Sequence, residues 1–225
     1  MAFDAKTFKT RALTAIIFAA AMLVGLLWNK TAFIILFTVI HFGCWYEFIK
    51  LLKKIDPVKY KMKSFLGLLY ITLPILLMIF MRTDQLGGKS DSFLKIVPCA
   101  IVFSIWINDT MAYIVGSFIG KNPLSKISPK KTWEGTIGGI ILCVIVIALI
   151  GISTGFYSSI DWILIPLFCG VFGTFGDLLE SKLKRMAAVK DSGNLMPGHG
   201  GFLDRFDSML IAIPFVFIYY FIFMR

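Results

Sequence analysis

From Glu134 to Ile152 the chain reads EGTIGGIILCVIVIALIGI, one acid followed by eighteen residues without a charge. About 20 apolar residues, rising 1.5 Å each, cross the hydrocarbon core of a bilayer. A run of this length and purity predicts a membrane helix, and similar blocks recur along the chain. On that criterion seven spans are expected, at about 12–28, 31–49, 65–81, 96–119, 134–152, 162–180 and 208–224. The expected fold is all-α, a polytopic transmembrane helical bundle. Composition agrees. The 225 residues are 58% hydrophobic and only 16% charged, with a mean hydropathy of +0.82, whereas soluble domains are about half apolar and about a quarter charged. Lys6, Lys9 and Arg11 precede the first apolar run as in a signal peptide. The run is long for such a core and the next span follows almost at once, so a retained helix is expected.

Charge sets the expected orientation. With the N-terminus in the cytoplasm and the C-terminus outside, 18 of the 23 Lys and Arg residues fall on the cytoplasmic side, as the positive-inside rule requires. The two chemically richest polar stretches, 120–134 and 181–207, then share that side. The chain divides on this reading into N-terminal spans over 1–95 and a membrane region over 96–225 that carries both polar stretches. The net charge of +10 does not indicate nucleic acid, because no basic–aromatic interleaving occurs outside the apolar blocks. Cys44, Cys99, Cys143 and Cys169 lie in or beside apolar segments without zinc-site spacing, which predicts buried packing. Gly116/Gly120 and Gly135/Gly139 have the spacing that lets membrane helices approach closely.

Acids inside apolar helices are the first candidates for chemistry, since a central Asp costs roughly 2.5–3.5 kcal/mol on insertion scales. Asp109, preceded by Asn108, lies well inside its span. Asp177 sits near a helix end, and Asp177, Ser181 and Lys184 fall on one helical stripe. The stretch Lys190-Asp191-Ser192-Gly193, continuing through Pro197-Gly198-His199-Gly200-Gly201, has too much Gly and Pro for regular helix. Its exposed backbone N–H groups suit phosphate. Asp204 and Asp207 follow at i, i+3 as the last helix begins. Carboxylates around one pocket would bind Mg²⁺, an oxygen-seeking ion that shares ligands with substrate phosphate. Ser128, Lys130, Lys131, Thr132 and Glu134 gather charge and hydroxyls at the start of helix 134–152, where a helix N-terminus also attracts phosphate. A Walker A loop is excluded, because Gly116–Lys121 is one residue short and is followed by Asn122. His41 and His199 lie too far apart in sequence for metal-ligand spacing.

These stretches resemble the phosphatidate cytidylyltransferase (CDP-diacylglycerol synthase) family. Its long signature is matched from Ser181 to Asp207, with Met196 where Leu, Ile or Phe is usual. The Asn108-Asp109 helix and the run from Ser128 to Gly135 also look like the family's, so the likeness covers about 104–208. The N-terminal half resembles it only as a set of spans and looks shortened. The resemblance implies transfer of CMP from CTP to phosphatidate, giving CDP-diacylglycerol and pyrophosphate. It implies a Mg²⁺ cofactor, with a second cation if the site is paired, held by Asp177, Asp204 and Asp207. Ser181, Lys184, Arg185, Lys190, Asp191 and His199 complete the catalytic set it suggests. Asn108, Asp109, Ser128, Lys130, Lys131, Thr132 and Glu134 would bind substrate. It further implies a homodimer in the inner membrane with a cytoplasmic active site. The alternatives are another CTP-dependent lipid enzyme, such as a polyisoprenoid alcohol kinase, and a membrane transporter. Acids concentrated toward one face and the absence of an internal repeat argue against the transporter.

Overall fold

The computed structural model describes residues 5–84, 90–193 and 200–224, with side chains from residue 12 onward. Eight α-helices follow in order among the described residues: α1 Ala5–Leu27, α2 Lys30–Ile55, α3 Tyr60–Ser64, α4 Leu73–Thr83, α5 Asp91–Ile119, α6 Trp133–Ser153, α7 Asp161–Met186 and α8 Leu203–Tyr219. π-helical turns at Leu68–Thr72 and Tyr220–Met224 precede α4 and extend α8. Among the described residues the single β-like pairing is an isolated bridge between Pro123 and Thr132. Six helical segments among the described residues are long and apolar enough to cross a membrane, and α1 contributes a shorter apolar stretch at Ala12–Leu27. The chain is a multi-pass, all-helical membrane protein.

Local chemistry sets the helix ends. Asn29 accepts from the Ala32 amide at 2.8 Å and opens α2. Thr132 accepts from the Gly135 amide at 3.1 Å and opens α6. Both satisfy amides that the first turn leaves without intrahelical partners. Pro57 follows the end of α2, and Asp56 turns the chain by bonding Lys63 Nζ at 2.8 Å and the Lys59 amide at 3.0 Å. The Lys63 contact, helped by the Lys59 amide, holds the Asp56 carboxyl below its ordinary range. Hydropathy placed the end of the sixth span at residue 180, but α7 continues to Met186. Ser181 to Met186 includes Lys, Leu and Arg, good helix formers that carry the helix beyond its apolar stretch. The last helix likewise begins at Leu203, earlier than the expected 208. The polar segment 181–207 is therefore partly helical, and Ser181, Lys184, Arg185, Asp204 and Asp207 stand on helices.

The chain forms two compact units, Met1–Ile75 with Leu183–Phe206, and Leu76–Lys182 with Asp207–Arg225. In the first, α1 and α2 form an antiparallel pair around Met22, Leu26, Phe33, Phe37 and Ile40, all essentially inaccessible. In the second, α5 and α6 pack backbone to backbone. A side chain at Gly139 would meet Ala112 at 2.7–2.8 Å, and one at Gly135 would meet the Ala112 carbonyl at 2.8 Å. The glycine spacing is thus a packing device. Farther along the same unit, Arg82 is wholly buried and donates to both oxygens of Asp91 at 2.8 and 3.1 Å. Asp161 accepts from Tyr219 at 2.6 Å and ties the start of α7 to the end of α8.

Replacing Gly139 by Ala should cost about 1–3 kcal/mol, the usual penalty for forcing a methyl into a filled interface. Thermal unfolding of purified protein in detergent checks this. Leu149→Ala, at a residue 69% exposed, should shift the transition far less.

Candidate active site

The second unit contains a cavity of about 480 Å³ lined by residues of α5, α6, α7 and the 120–132 loop. Asn108, Asp109 and Tyr113 enter from α5, Lys130, Lys131 and Thr132 from the loop, and Asp177 from α7. The α5–α6 glycine contact explains why the loop reaches this wall, since Gly116 and Gly135 let the two helices meet where the loop begins and ends. Gly120, at the C-terminus of α5, has no room for a side chain against Thr132.

Each expected group in this cavity has a distinct environment. Lys131 forms an ion pair with Asp177. Asp109 is exposed rather than buried and lines the cavity. Asn108 is 5% exposed, and its side-chain oxygen has no hydrogen-bond partner. A buried acceptor left in that state costs on the order of 1–3 kcal/mol, and a donor entering the cavity would relieve it. Thr132 spends its hydroxyl oxygen on the α6 cap. Glu134 lies outside the lining and holds the loop instead, accepting from the Lys121 and Asn122 amides at 3.2 Å and from the Asn122 side chain at 2.6 Å. Ser128 offers its carbonyl to the Lys131 amide at 3.1 Å, which shapes the turn carrying both lysines. Ser181 is buried on α7 and is not part of the lining. Asp207, 6% exposed, bonds its neighbouring Ser208 amide at 2.7 Å and lies within electrostatic range of Asp177, Glu180 and Asp109.

The first unit holds the rest of the expected set. Lys184 donates to Asp204 Oδ1 at 2.7 Å. Asp204 Oδ2 accepts from the Ser192 amide at 2.9 Å and the Gly201 amide at 2.8 Å, and it lies 2.9 Å from the Ser192 hydroxyl, whose one proton is shared with Glu47. Asp204 therefore ties the two ends of the glycine-rich turn to the first turn of α8. Asp191 is exposed and lines a smaller cavity of about 190 Å³ with Lys50, Lys54, Ser192 and Gly193. Arg185 and Lys190 are exposed. His199 lies outside the described residues.

Sequence reasoning passed over two deeply buried acids, Glu47 and Glu180. Glu47, in α2, is 1% exposed and accepts from the Ser192 hydroxyl, the Phe202 amide and the Leu203 amide at 2.7, 3.0 and 2.9 Å. The criterion that singled out Asp109, an acid within an apolar run, applies equally to Glu47 in the expected span 31–49. Glu180, fully buried on α7, was likewise assigned no role.

The donor set can be weighed against Mg²⁺. Among the described residues no group of three or more His, Cys, Asp or Glu gathers as a metal cluster. Mg²⁺ does not need one, because it is commonly held by one or two carboxylates plus substrate phosphate and water. Asp177 and the unpartnered Asn108 oxygen are oxygen donors of that kind. Asp204 already accepts from Lys184, Ser192 and Gly201, so a cation there would compete with the Lys184 ammonium.

Residues 58–223 match the model of the cytidylyltransferase family. The phosphatidate cytidylyltransferase of Rickettsia bellii is 34% identical over 218 residues, 92% of this chain and 88% of its own length. That of Bacillus subtilis is 49% identical over 115 residues, 50% of this chain and 43% of its own. Phosphatidate cytidylyltransferase 4 of Arabidopsis thaliana chloroplasts is 44% identical over 137 residues, 59% of this chain and 35% of its own. The chain thus matches less than half the length of the latter two and nearly all of the first. Since the family match covers most of the residues that build both the cavity and the turn, the chain belongs to the cytidylyltransferase family.

Proposed function

We propose that this chain transfers CMP from CTP to phosphatidate, releasing pyrophosphate and forming CDP-diacylglycerol for phospholipid synthesis. The observation that supports this reading best is the cavity combining Lys130, Lys131, Asn108, Asp109 and Asp177. It pairs cations for phosphate with oxygen donors for a divalent ion, beside apolar helices that suit a lipid substrate. The names of the similar proteins from Rickettsia and Bacillus point to the same reaction.

In the reaction, an anionic oxygen of phosphatidate attacks the α-phosphorus of CTP. The bond to the α–β bridging oxygen breaks, and that oxygen leaves with pyrophosphate. An ionised lipid phosphate is already a nucleophile, so no general base is assigned. The work left to the protein is positioning and charge neutralisation. Lys130 and Lys131 offset triphosphate charge, and as CTP enters, Lys131 exchanges Asp177 for a phosphate. Asn108 and Thr132 orient polar groups of the substrate, while Glu134 keeps the loop shaped. Lys184, Arg185 and Lys190 add positive charge, and Ser181, Asp191 and His199 belong to the proposed catalytic set through the signature. Asp177 would hold Mg²⁺, with Asp204 and Asp207 the further ligands proposed from that signature. When bound, the ion would neutralise phosphate oxygens and align the leaving group. A second cation would make the site a paired one. The charge bias of the loops supports an inner-membrane protein with this chemistry on the cytoplasmic side, and the resemblance supports a homodimer.

CTP labelled separately at the α- and γ-positions tests the assignment with phosphatidate and Mg²⁺. Label from the α-position should appear in lipid and γ-label in pyrophosphate, with both lost on chelation. γ-Label on lipid would instead mark a kinase and overturn the reading.

Asp177→Asn should lower turnover by about 100-fold or more, comparable to removing one preorganised electrostatic group at a reacting centre. The melting transition should remain close to that of the unsubstituted protein, since the change is isosteric. Turnover within a few-fold of normal would remove Asp177 from the proposed role.

A further inference from the structure

We infer that Glu47 is a positioning residue for the reaction proposed above. From within an apolar helix it holds the described ends of the glycine-rich segment, at Ser192 and at Phe202–Leu203, in their working geometry. The inference rests on that functional reading for its catalytic half and on geometry alone for its structural half.

The supporting contacts come from both ends of the turn. Glu47 Oε1 accepts from the Phe202 amide at 3.0 Å, and Oε2 accepts from the Leu203 amide at 2.9 Å. Those two donors stand at the N-terminus of α8, where amides lack intrahelical partners and the helix dipole favours an anion. On the other side of the turn, the Ser192 hydroxyl lies 2.7 Å from Glu47 Oε2 and 2.9 Å from Asp204 Oδ2. One hydroxyl thus links the buried Glu47 to the carboxylate that also accepts from Lys184 and the Gly201 amide.

The glycines make room for this arrangement. A side chain at Gly193 or at Gly201 would collide with the Glu47 carboxylate itself. One turn earlier on the same face of α2, a side chain at Gly43 would meet the Phe202 ring at 2.5 Å. Gly43 therefore admits the ring while Glu47 binds the amides beside it. Placing an acid at 1% exposure inside an apolar helix is expensive unless its acceptors are filled. Here they are filled by the backbone and hydroxyl of the turn, which cannot shift without stranding the carboxylate. Helix α2 is therefore part of the catalytic machinery's support as well as a membrane span.

Glu47→Gln and Glu47→Ala, in full-length protein in detergent, test this by two readouts. Hydrogen exchange of peptides covering 200–206 should accelerate about tenfold or more, as expected when a local opening free energy falls. Peptides from α5 should exchange as before. In the CTP and phosphatidate assay, kcat should fall about 100-fold for Glu47→Ala, the scale of loss from a misplacement of about 1 Å. KM for CTP should stay within about threefold, because the lysine loop is untouched, and Glu47→Gln, which retains one acceptor, should recover part of the lost kcat. If the Glu47 variants do not fold, Gly201→Ala supplies the same perturbation from the other partner and should give the same exchange pattern. Unchanged exchange at 200–206, acceleration spread equally over α5, or a loss confined to KM would each overturn the positioning role. Localised exchange changes in a protein that shows no CTP turnover before substitution would leave the structural half standing. They would refute the reaction and, with it, the catalytic half.

Discussion

The buried carboxylate of Glu47 is satisfied by the chain it organises. In a hydrocarbon-like interior an acid cannot rely on water, so it must find donors within the protein. Glu47 finds them in the Ser192 hydroxyl and in two amides at the start of α8. Those groups lie about 150 residues away in sequence, on a segment whose glycines and proline discourage regular helix. The segment's freedom and the carboxylate's need are complementary. Asp204, one residue into α8, then repeats the arrangement nearer the surface by accepting from Lys184, Ser192 and Gly201.

The other unit solves a different problem by different means. Its cavity needs a loop rich in charge to stand beside apolar helices, and backbone contact between α5 and α6 provides the fixed frame. Gly135 and Gly139 remove the side chains that would hold those helices apart. Thr132 and Glu134 then direct their oxygens at loop and helix amides, so the lysines are presented by a folded segment. Glu134 thereby acts on the protein's own backbone, Thr132 caps α6 from the cavity wall, and Lys130, Asp109 and Asn108 line the same cavity. A list of polar residues in a signature does not separate these two kinds of service.

Arg82 with Asp91, and Asp161 with Tyr219, show a third use of polar groups. Both pairs join helix ends in the same unit through buried or partly buried hydrogen bonds. Asp91 and Asp161 lie several turns along α5 and α7 from the cavity lining, and none of the four residues belongs to it. The polar residues of this unit thus include some that line a cavity and others that close on one another between helix ends.

Hydropathy alone determined that the chain is a bundle of membrane helices, because the cost of exposing backbone and charge to lipid leaves few other solutions. Residue types alone also marked Asp177, Asp109, Lys130 and Lys131, since acids and paired lysines beside apolar runs are costly enough to stand out. The helix ends near 186 and 203 escaped that reading, because a helix continues past the apolar stretch wherever its residues favour helix. Glu47 escaped for a different reason. Its partners are backbone amides and a serine far along the chain, and backbone donors leave no trace in a sequence. Only the tertiary structure decided which carboxylates face a cavity and which are consumed in holding a turn, because hydrogen-bond satisfaction is settled by which atoms meet in space.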